Sequence, residues 1–273
     1  MKKVLAVLLV FSTLLLAACG QTPAGSGAGS TAGEMTDWAY IESKGEMIIG
    51  ITYFEPMNYL DESGELQGFE TEFAIAVCEI LGVTPVFQEI SWQAKETELN
   101  AKNIDCIWNG MTITEERSVN MSISQPYMRN RQVLIVKSEN VAAFTESVDG
   151  LTIVAEAGSA GESVCQEEEF FANANYTPVD TQAKALLEVA SGTADGCVVD
   201  YVLSIGMIGE GTDFAGLATV DDRSFSEEEY GIAMRKEDTQ LTQKVNDAIN
   251  QLLQSGKLQE IAAKYKLEEL LIG

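Results

Sequence analysis

An α/β protein of two related lobes is the architecture that this 273-residue sequence predicts. Three observations carry that expectation. Short apolar runs of strand length alternate with segments of helical period, small-residue turns follow strands, and the alternation recurs in weaker form in the second half. In chain order, Met47 to Ile51 within residues 46–53 reads as a buried strand. Residues 68–81 put Phe69, Phe73, Ala76, Val77 and Ile80 on one helical face, with Gly82 as the stop. Residues 84–90 are strand-like, 96–102 helical and 104–108 strand-like again. In the second half, 151–155 is a strand, Gly158-Ser159-Ala160-Gly161 turns into a helix, 181–190 is helical and 196–200 is a strand. The stretches 99–106 and 187–197 share one plan: helix end, turn, an aspartate (Asp105, Asp195), then a strand bearing a cysteine (Cys106, Cys197). Leu241, Val245, Ala248, Ile249, Leu252 and Leu253 form an amphipathic helix after Thr239, stopped at Ser255-Gly256.

The first 33 residues are of another kind. Lys2 and Lys3 precede an apolar run over 4–16, then Ala17, Ala18, Cys19 and Gly20, the layout of a secretory signal. The run is too short to favour a membrane span, which takes about 20 residues. Leu16-Ala17-Ala18-Cys19 resembles a bacterial lipobox, in which the cysteine carries lipid and becomes the mature N-terminus. Residues 21–33 are glycine, serine, alanine and threonine with one glutamine (Gln21) and one proline, a flexible linker that buries too little apolar surface to fold. The expected divisions are therefore a signal peptide at 1–18 and a lipidated cysteine with its tether at 19–36. The protein is expected to be exported and anchored by lipid to the outer face of the cell membrane.

Composition excludes several functions. Without a single histidine there is no Ser-His-Asp or Cys-His pair and no His-containing zinc site. A formal charge of -25 with no compensating basic run argues against nucleic acid, where affinity comes from cations on phosphates. Carboxylate or lysine chemistry remains open.

Two α/β lobes create a crevice at the carboxyl ends of their strands, where ligands bind. Asn109-Gly110-Met111-Thr112-Ile113-Thr114-Glu115-Glu116-Arg117 follows the strand ending at Trp108. Thr114 suits an N-cap with Glu115 and Glu116 in the first turn, which sends Arg117 back over the strand end. A guanidinium beside a hydroxyl and main-chain amides suits bidentate grip of a carboxylate. An ion pair with a local glutamate is the alternative use of the same arginine. In the second lobe, amides of the 158–161 turn form an anion site at a helix start. Asp200 at a strand end would hold an ammonium, or else cap a helix.

With those residues in view, the chain resembles the extracytoplasmic solute-binding proteins of polar amino acid ABC importers (bacterial solute-binding protein family 3), in their lipoprotein form. The resemblance covers 46–270 and rests on Tyr53-Phe54-Glu55-Pro56-Met57, Asp61-Glu62-Ser63-Gly64 with Gly68-Phe69-Glu70, Met111-Thr112-Ile113-Thr114-Glu115-Glu116-Arg117, Ser124-Gln125-Pro126-Tyr127, Gly158-Ser159-Ala160, and Asp195 with Asp200. It implies a two-lobed, type II periplasmic-binding-protein fold, each lobe a mixed sheet flanked by helices and joined by a two-segment hinge near 129–133 and 221–225. Lobe 1 would comprise 37–129 and 225–273, and lobe 2 would comprise 130–224. By the same resemblance, Arg117, Thr112 and the Ser159 to Ala160 backbone hold an α-carboxylate, while the Gly110 carbonyl and Asp200 hold an α-ammonium. Phe54 and Trp92 set aromatic rings against the ligand, and Ile51, Asn109 and Glu156 line its side-chain pocket. Ile51, where relatives preferring cationic ligands carry an acid, favours a neutral polar ligand such as glutamine or cystine, with a cationic one second. Glu156 disfavours an acidic ligand by like-charge repulsion.

The expected partners are a free amino acid, an ABC permease with its ATPase subunit, and the membrane through Cys19. The chain is expected to be a monomer, not an enzyme, with no nucleic acid, metal or cofactor. A cyclohexadienyl dehydratase-like enzyme using Glu156, or an amino-acid sensor, is the alternative on the same scaffold. Cys78, Cys106, Cys165 and Cys197 fall one on a helix and one on a strand in each lobe, compatible with two disulfides or with four buried thiols.

Overall fold

The computed structural model describes residues 37–273; the expected signal peptide, the expected lipidation site Cys19 and the expected linker lie outside them. The first lobe opens with α1 (Asp37–Lys44) and β1 (Glu46–Ile51), then a small hairpin of β2 (Tyr59–Leu60) and β3 (Leu66–Gln67). It continues through α2 (Phe69–Leu81), β4 (Thr84–Glu89), α3 (Lys95–Asn100), β5 (Cys106–Ile107), α4 (Glu115–Asn120) and β6 (Met121–Ile123). The second lobe runs from β7 (Met128–Lys137) through α5 (Val141–Glu146), β8 (Thr152–Glu156), α6 (Ala160–Glu167), β9 (Asn175–Val179), α7 (Gln182–Ser191), β10 (Gly196–Asp200) and α8 (Tyr201–Met207) to β11 (Leu217–Tyr230). The chain then returns to the first lobe with β12 (Ala233–Arg235), α9 (Thr239–Gln254) and α10 (Lys257–Lys264).

Each lobe holds a five-stranded mixed sheet, ordered β4-β1-β5-β12-β6 in the first and β11-β7-β10-β8-β9 in the second. β1 is parallel to β4 and β5, and β12 is antiparallel to β5 and β6. β8 is parallel to β9 and β10, which is antiparallel to β7. The two long strands β7 and β11 pair with each other and form the ribbon that joins the lobes. The ribbon belongs to the second sheet, while the isolated bridges Thr112 to Tyr230 and Met128 to Leu271 tie its other end to segments of the first lobe. The β7 and β11 pairing shifts register between Thr219 and Ser224 and between Phe225 and Glu227, irregularities that bend a ribbon locally.

The shared plan of the two halves has a physical basis. Asp105 Oδ2 accepts from the amide of Ile48 at 2.8 Å, and Asp195 Oδ2 accepts from the amide of Thr152 at 2.8 Å. In each lobe the aspartate before the cysteine-bearing strand therefore satisfies a donor on a neighbouring parallel strand. Asp105 is also paired with Lys44 at 2.6 Å, which a buried carboxylate requires.

The α2 face differs from the expected one. Phe69, Phe73, Ala74, Val77 and Cys78 are buried, whereas Ile80 is 38% exposed. The helix is rotated toward Glu70, which is wholly buried, so Ile80 falls at the edge of the interface. Gly82 ends the helix in the left-handed conformation at φ 72°. At the far end Thr239 is the first helical residue of α9, and the preceding Asp238 pairs with Arg235 at 2.7 Å instead of capping. The first lobe centres on Phe73, which meets Trp108 edge-on at 4.9 Å and Tyr127 at 5.4 Å between ring centres. All four described cysteines are buried free thiols, so neither disulfide of the two-bridge alternative is present. Among the described residues no helix is long and apolar enough to cross a membrane, and no group of three or more acidic or thiol side chains is placed to hold a metal ion.

Candidate functional site

An enclosed chamber lies between the lobes, and all ten residues expected to touch a ligand line it. Phe54, Trp92, Asn109, Gly110, Thr112 and Arg117 come from the first lobe, and Glu156, Ser159, Ala160 and Asp200 from the second. Thr52, Tyr53 and Gln182 complete the wall. Its volume is about 10 Å³, roughly room for one water molecule, so a molecule of amino-acid size enters only when the lobes part.

At one end stands Arg117, placed by a short helix whose cap is Thr114, the side chain accepting from the Arg117 amide at 3.1 Å. The guanidinium is 9% exposed; Nη1 donates to the Thr112 carbonyl at 2.8 Å and Nη2 to the Gly158 carbonyl at 3.1 Å. The second bond crosses between lobes. Lys95 Nζ makes the same crossing, donating to the Gly158 carbonyl at 3.1 Å while lying 4.7 Å from the Trp92 ring centre. Burial, and then the neighbouring Arg117, hold the Lys95 ammonium down to about 8. Two cations on one main-chain oxygen act as a latch beside the chamber.

The start of α6 faces these cations. Ser159 caps it by accepting from the Glu162 amide at 3.1 Å, and its own amide donates to the Glu156 carbonyl at 3.1 Å. Ser159 is thus occupied by the turn itself. Ala160 opens the helix, where main-chain amides have no intrahelical acceptor and the dipole favours an anion.

At the other end Asp200 is 5% exposed and closes β10. It does not cap α8 with its side chain; its oxygens accept from Asn130, Gln132 and Gln182. Gln132 Nε2 also donates to Glu228 Oε2 at 3.0 Å, so the carboxylate is set on the ribbon that joins the lobes. Burial, and next the charge of Glu228, push the Asp200 carboxyl up to about 6. An ammonium arriving beside it would offset both effects.

Between the two ends, Gly110 has φ 56°, and a Cβ there would fall 2.5 Å from Phe54 Cε1, so only glycine fits. Its amide donates to both oxygens of Glu70, at 2.9 and 3.0 Å, and Tyr127 donates its hydroxyl to the same carboxylate. Burial pushes Glu70 up to about 7 against those bonds. Asn109 is held by the loop before it: its Nδ2 donates to the Thr52 carbonyl at 2.9 Å and to Asn58 Oδ1 at 2.8 Å, and its Oδ1 accepts from the Thr52 hydroxyl at 2.5 Å. Asn109 therefore shapes the wall with its amide fully engaged. Thr112 donates its hydroxyl to Glu228 at 2.9 Å.

One expected pocket residue is elsewhere. Ile51 packs in the first lobe's core at 2% exposure, because the chamber begins one residue later, at Thr52. Sequence reasoning missed Lys95, Gln132, Gln182 and Glu228, which carry no motif of their own and act through neighbours. Glu70 belongs to the Gly68-Phe69-Glu70 run of the resemblance, but nothing local to it marks the side chain as facing inward.

Known proteins resemble this chain over most of its length. The ABC transporter glutamine-binding protein GlnH of Bacillus subtilis is 27% identical over 98% of this chain and 99% of its own. The L-cystine-binding protein TcyJ of Escherichia coli is 26% identical over 82% of this chain and 84% of its own. The crystal structure of an ABC uptake transporter substrate binding protein from Streptococcus pneumoniae with bound histidine superposes with a TM-score of 0.75 and 32% identity, covering 86% of this chain and 98% of that one. The model of the bacterial extracellular solute-binding proteins, family 3, matches residues 47–268, and the chain belongs to that family.

Proposed function

We propose that this protein is the capture subunit of an ABC importer for a free polar amino acid, closing its two lobes on the ligand and presenting the closed form to a membrane permease and its ATPase. The observation that carries this reading is one small buried chamber with Arg117 and the start of α6 at one end and Asp200 at the other. A zwitterion needs opposite charges a few ångströms apart, and burying either end unpaired costs several kcal/mol. Arg117 comes from the first lobe and Asp200 from the second, so recognition requires closure and closure is driven by recognition.

The reading includes a monomer tethered through lipid on Cys19. For the side chain, a neutral polar ligand such as glutamine or cystine is supported by the relatives named for those ligands. The burial of Ile51 in the core removes the reason for placing a cationic ligand second.

A thermal-shift screen of the mature chain against the free amino acids and cystine tests the proposal. A ligand at 100 times its dissociation constant stabilises the fold by about 2.7 kcal/mol. At least one polar amino acid is expected to raise the melting temperature, and a screen in which none does contradicts the reading.

A further inference from the structure

We propose that a cationic ligand side chain expels one proton on binding, lost from Glu156, which the resemblance already sets in the side-chain pocket, whereas a carboxamide side chain binds with that proton kept. This rests on the amino-acid-binding reading and concerns the part of the ligand that Arg117 and Asp200 leave free.

Glu156 ends β8 and lines the chamber at 4% exposure. Its Oε1 is wholly shielded and has no hydrogen-bond partner, an arrangement that native interiors rarely tolerate without a purpose. The charged groups around it are committed elsewhere. Asp200 on β10 is itself a carboxylate and accepts from three amides. Lys95 on α3 points its ammonium at the Gly158 and Trp92 carbonyls. Arg117 on α4 holds the Thr112 and Gly158 carbonyls. Glu162 on α6 accepts from the Gly158 amide and the Tyr176 hydroxyl, and Asp180, just past β9, pairs with the exposed Lys184. Glu156 is thus the chamber's one carboxyl, among the described residues, whose acceptor is left for something that enters.

Its environment favours the protonated form. Burial, and then the charge of Asp200, push the Glu156 carboxyl up to about 8, with Lys95 opposing. A protonated carboxyl has one O–H donor and one carbonyl acceptor, the complement of a carboxamide's carbonyl and N–H. An ionised carboxylate accepts only, the complement of a guanidinium or ammonium. When a cationic side chain enters, the carboxyl O–H bond breaks, its electron pair stays on oxygen and the proton passes to solvent; the ligand's charge replaces it. With a carboxamide nothing need leave. In both cases the α-groups meet the same Arg117 and Asp200, so any protons those sites exchange are common to both ligands.

Calorimetric titration of the mature chain with L-arginine and with L-glutamine, at pH 7 in phosphate and in Tris, reads the proton count from the difference in apparent enthalpy. Arginine is expected to release close to one proton more than glutamine. The arginine Kd should improve by about tenfold per pH unit between pH 6 and 8, while the glutamine Kd changes little. In E156Q, with folding checked by its melt, the excess release and the arginine pH dependence should both vanish. Equal proton counts for the two ligands, binding of only one of them across pH 6 to 9, or an unchanged arginine profile in E156Q overturns the role of Glu156 and leaves amino-acid binding intact. Failure of every amino acid to bind overturns both.

Discussion

Arg117→Ala is expected to abolish amino-acid binding, with a loss of at least about 100-fold in affinity, while the protein stays folded. The guanidinium is the cation that bonds the Thr112 carbonyl within its own lobe and the Gly158 carbonyl across the cleft, at the place where the α6 helix start also points. Breaking a buried charge pair by removing one partner costs about 3–5 kcal/mol, because the other charge is left dry and uncompensated. That cost falls on the ligand complex. In the free protein Arg117 is itself held below its ordinary value by burial, so its loss removes a desolvated charge and the ligand-free melt should move little. Arg117→Lys should not restore binding, since a point-charge ammonium lacks the planar fork for a carboxylate. Retained affinity in either variant by calorimetry would sink the assignment of Arg117 to the carboxylate.

Gly206→Val is expected to weaken binding by more than tenfold without touching the ligand. Gly206 lies on α8 of the second lobe and abuts Pro56 of the first: a Cβ there would sit 2.9 Å from Pro56 Cδ, 3.0 Å from its nitrogen and 3.2 Å from the Glu55 carbonyl carbon. Those are backbone and ring atoms of a buried segment, unable to swing away. The loop they belong to also carries Phe54, so α8 reaches its closed position only by seating a bare main chain on that loop. A β-branched side chain holds the lobes apart, and the closed state that buries the ligand loses population by the strain it imposes. The loss should appear in the dissociation rate, and solution scattering of the ligand-saturated variant should give a larger radius of gyration than wild type. Wild-type affinity together with wild-type compactness would show that this contact does not limit closure.

Much of this molecule is legible in its sequence, for physical reasons that vary by feature. Strands such as β10 announce themselves because both faces are buried and the run is continuously apolar. The cap at Thr114 and the αL stop at Gly82 are local chemistry, readable from a few residues. Of the ten expected residues that line the chamber, Arg117, Thr112, Ser159, Ala160 and Asp200 are within reach because helix starts and strand ends place them, whereas Phe54, Trp92 and Glu156 follow only from the family resemblance. What escaped reading depends on long-range partners. Asn130, Gln132 and Gln182 are separated from Asp200 by 70, 68 and 18 residues, and nothing local marks them as its donors. Lys95 looks like a surface lysine on a short helix until Gly158 of the other lobe is brought against it. The resemblance puts Ile51 in the side-chain pocket, but in this chain the residue still packs in the core and the chamber starts one residue later, at Thr52.

The central claim is that one chamber grips both ends of a zwitterion, each end from a different lobe. The most direct measurement is calorimetric titration of the mature chain with the best amino acid from the screen, alongside its decarboxylated amine and its deaminated acid. The geometry predicts that only the intact amino acid binds, with both analogues at least about 100-fold weaker, since each leaves Arg117 or Asp200 buried without its counter-charge. An analogue lacking either group that binds within tenfold of the parent would contradict the account.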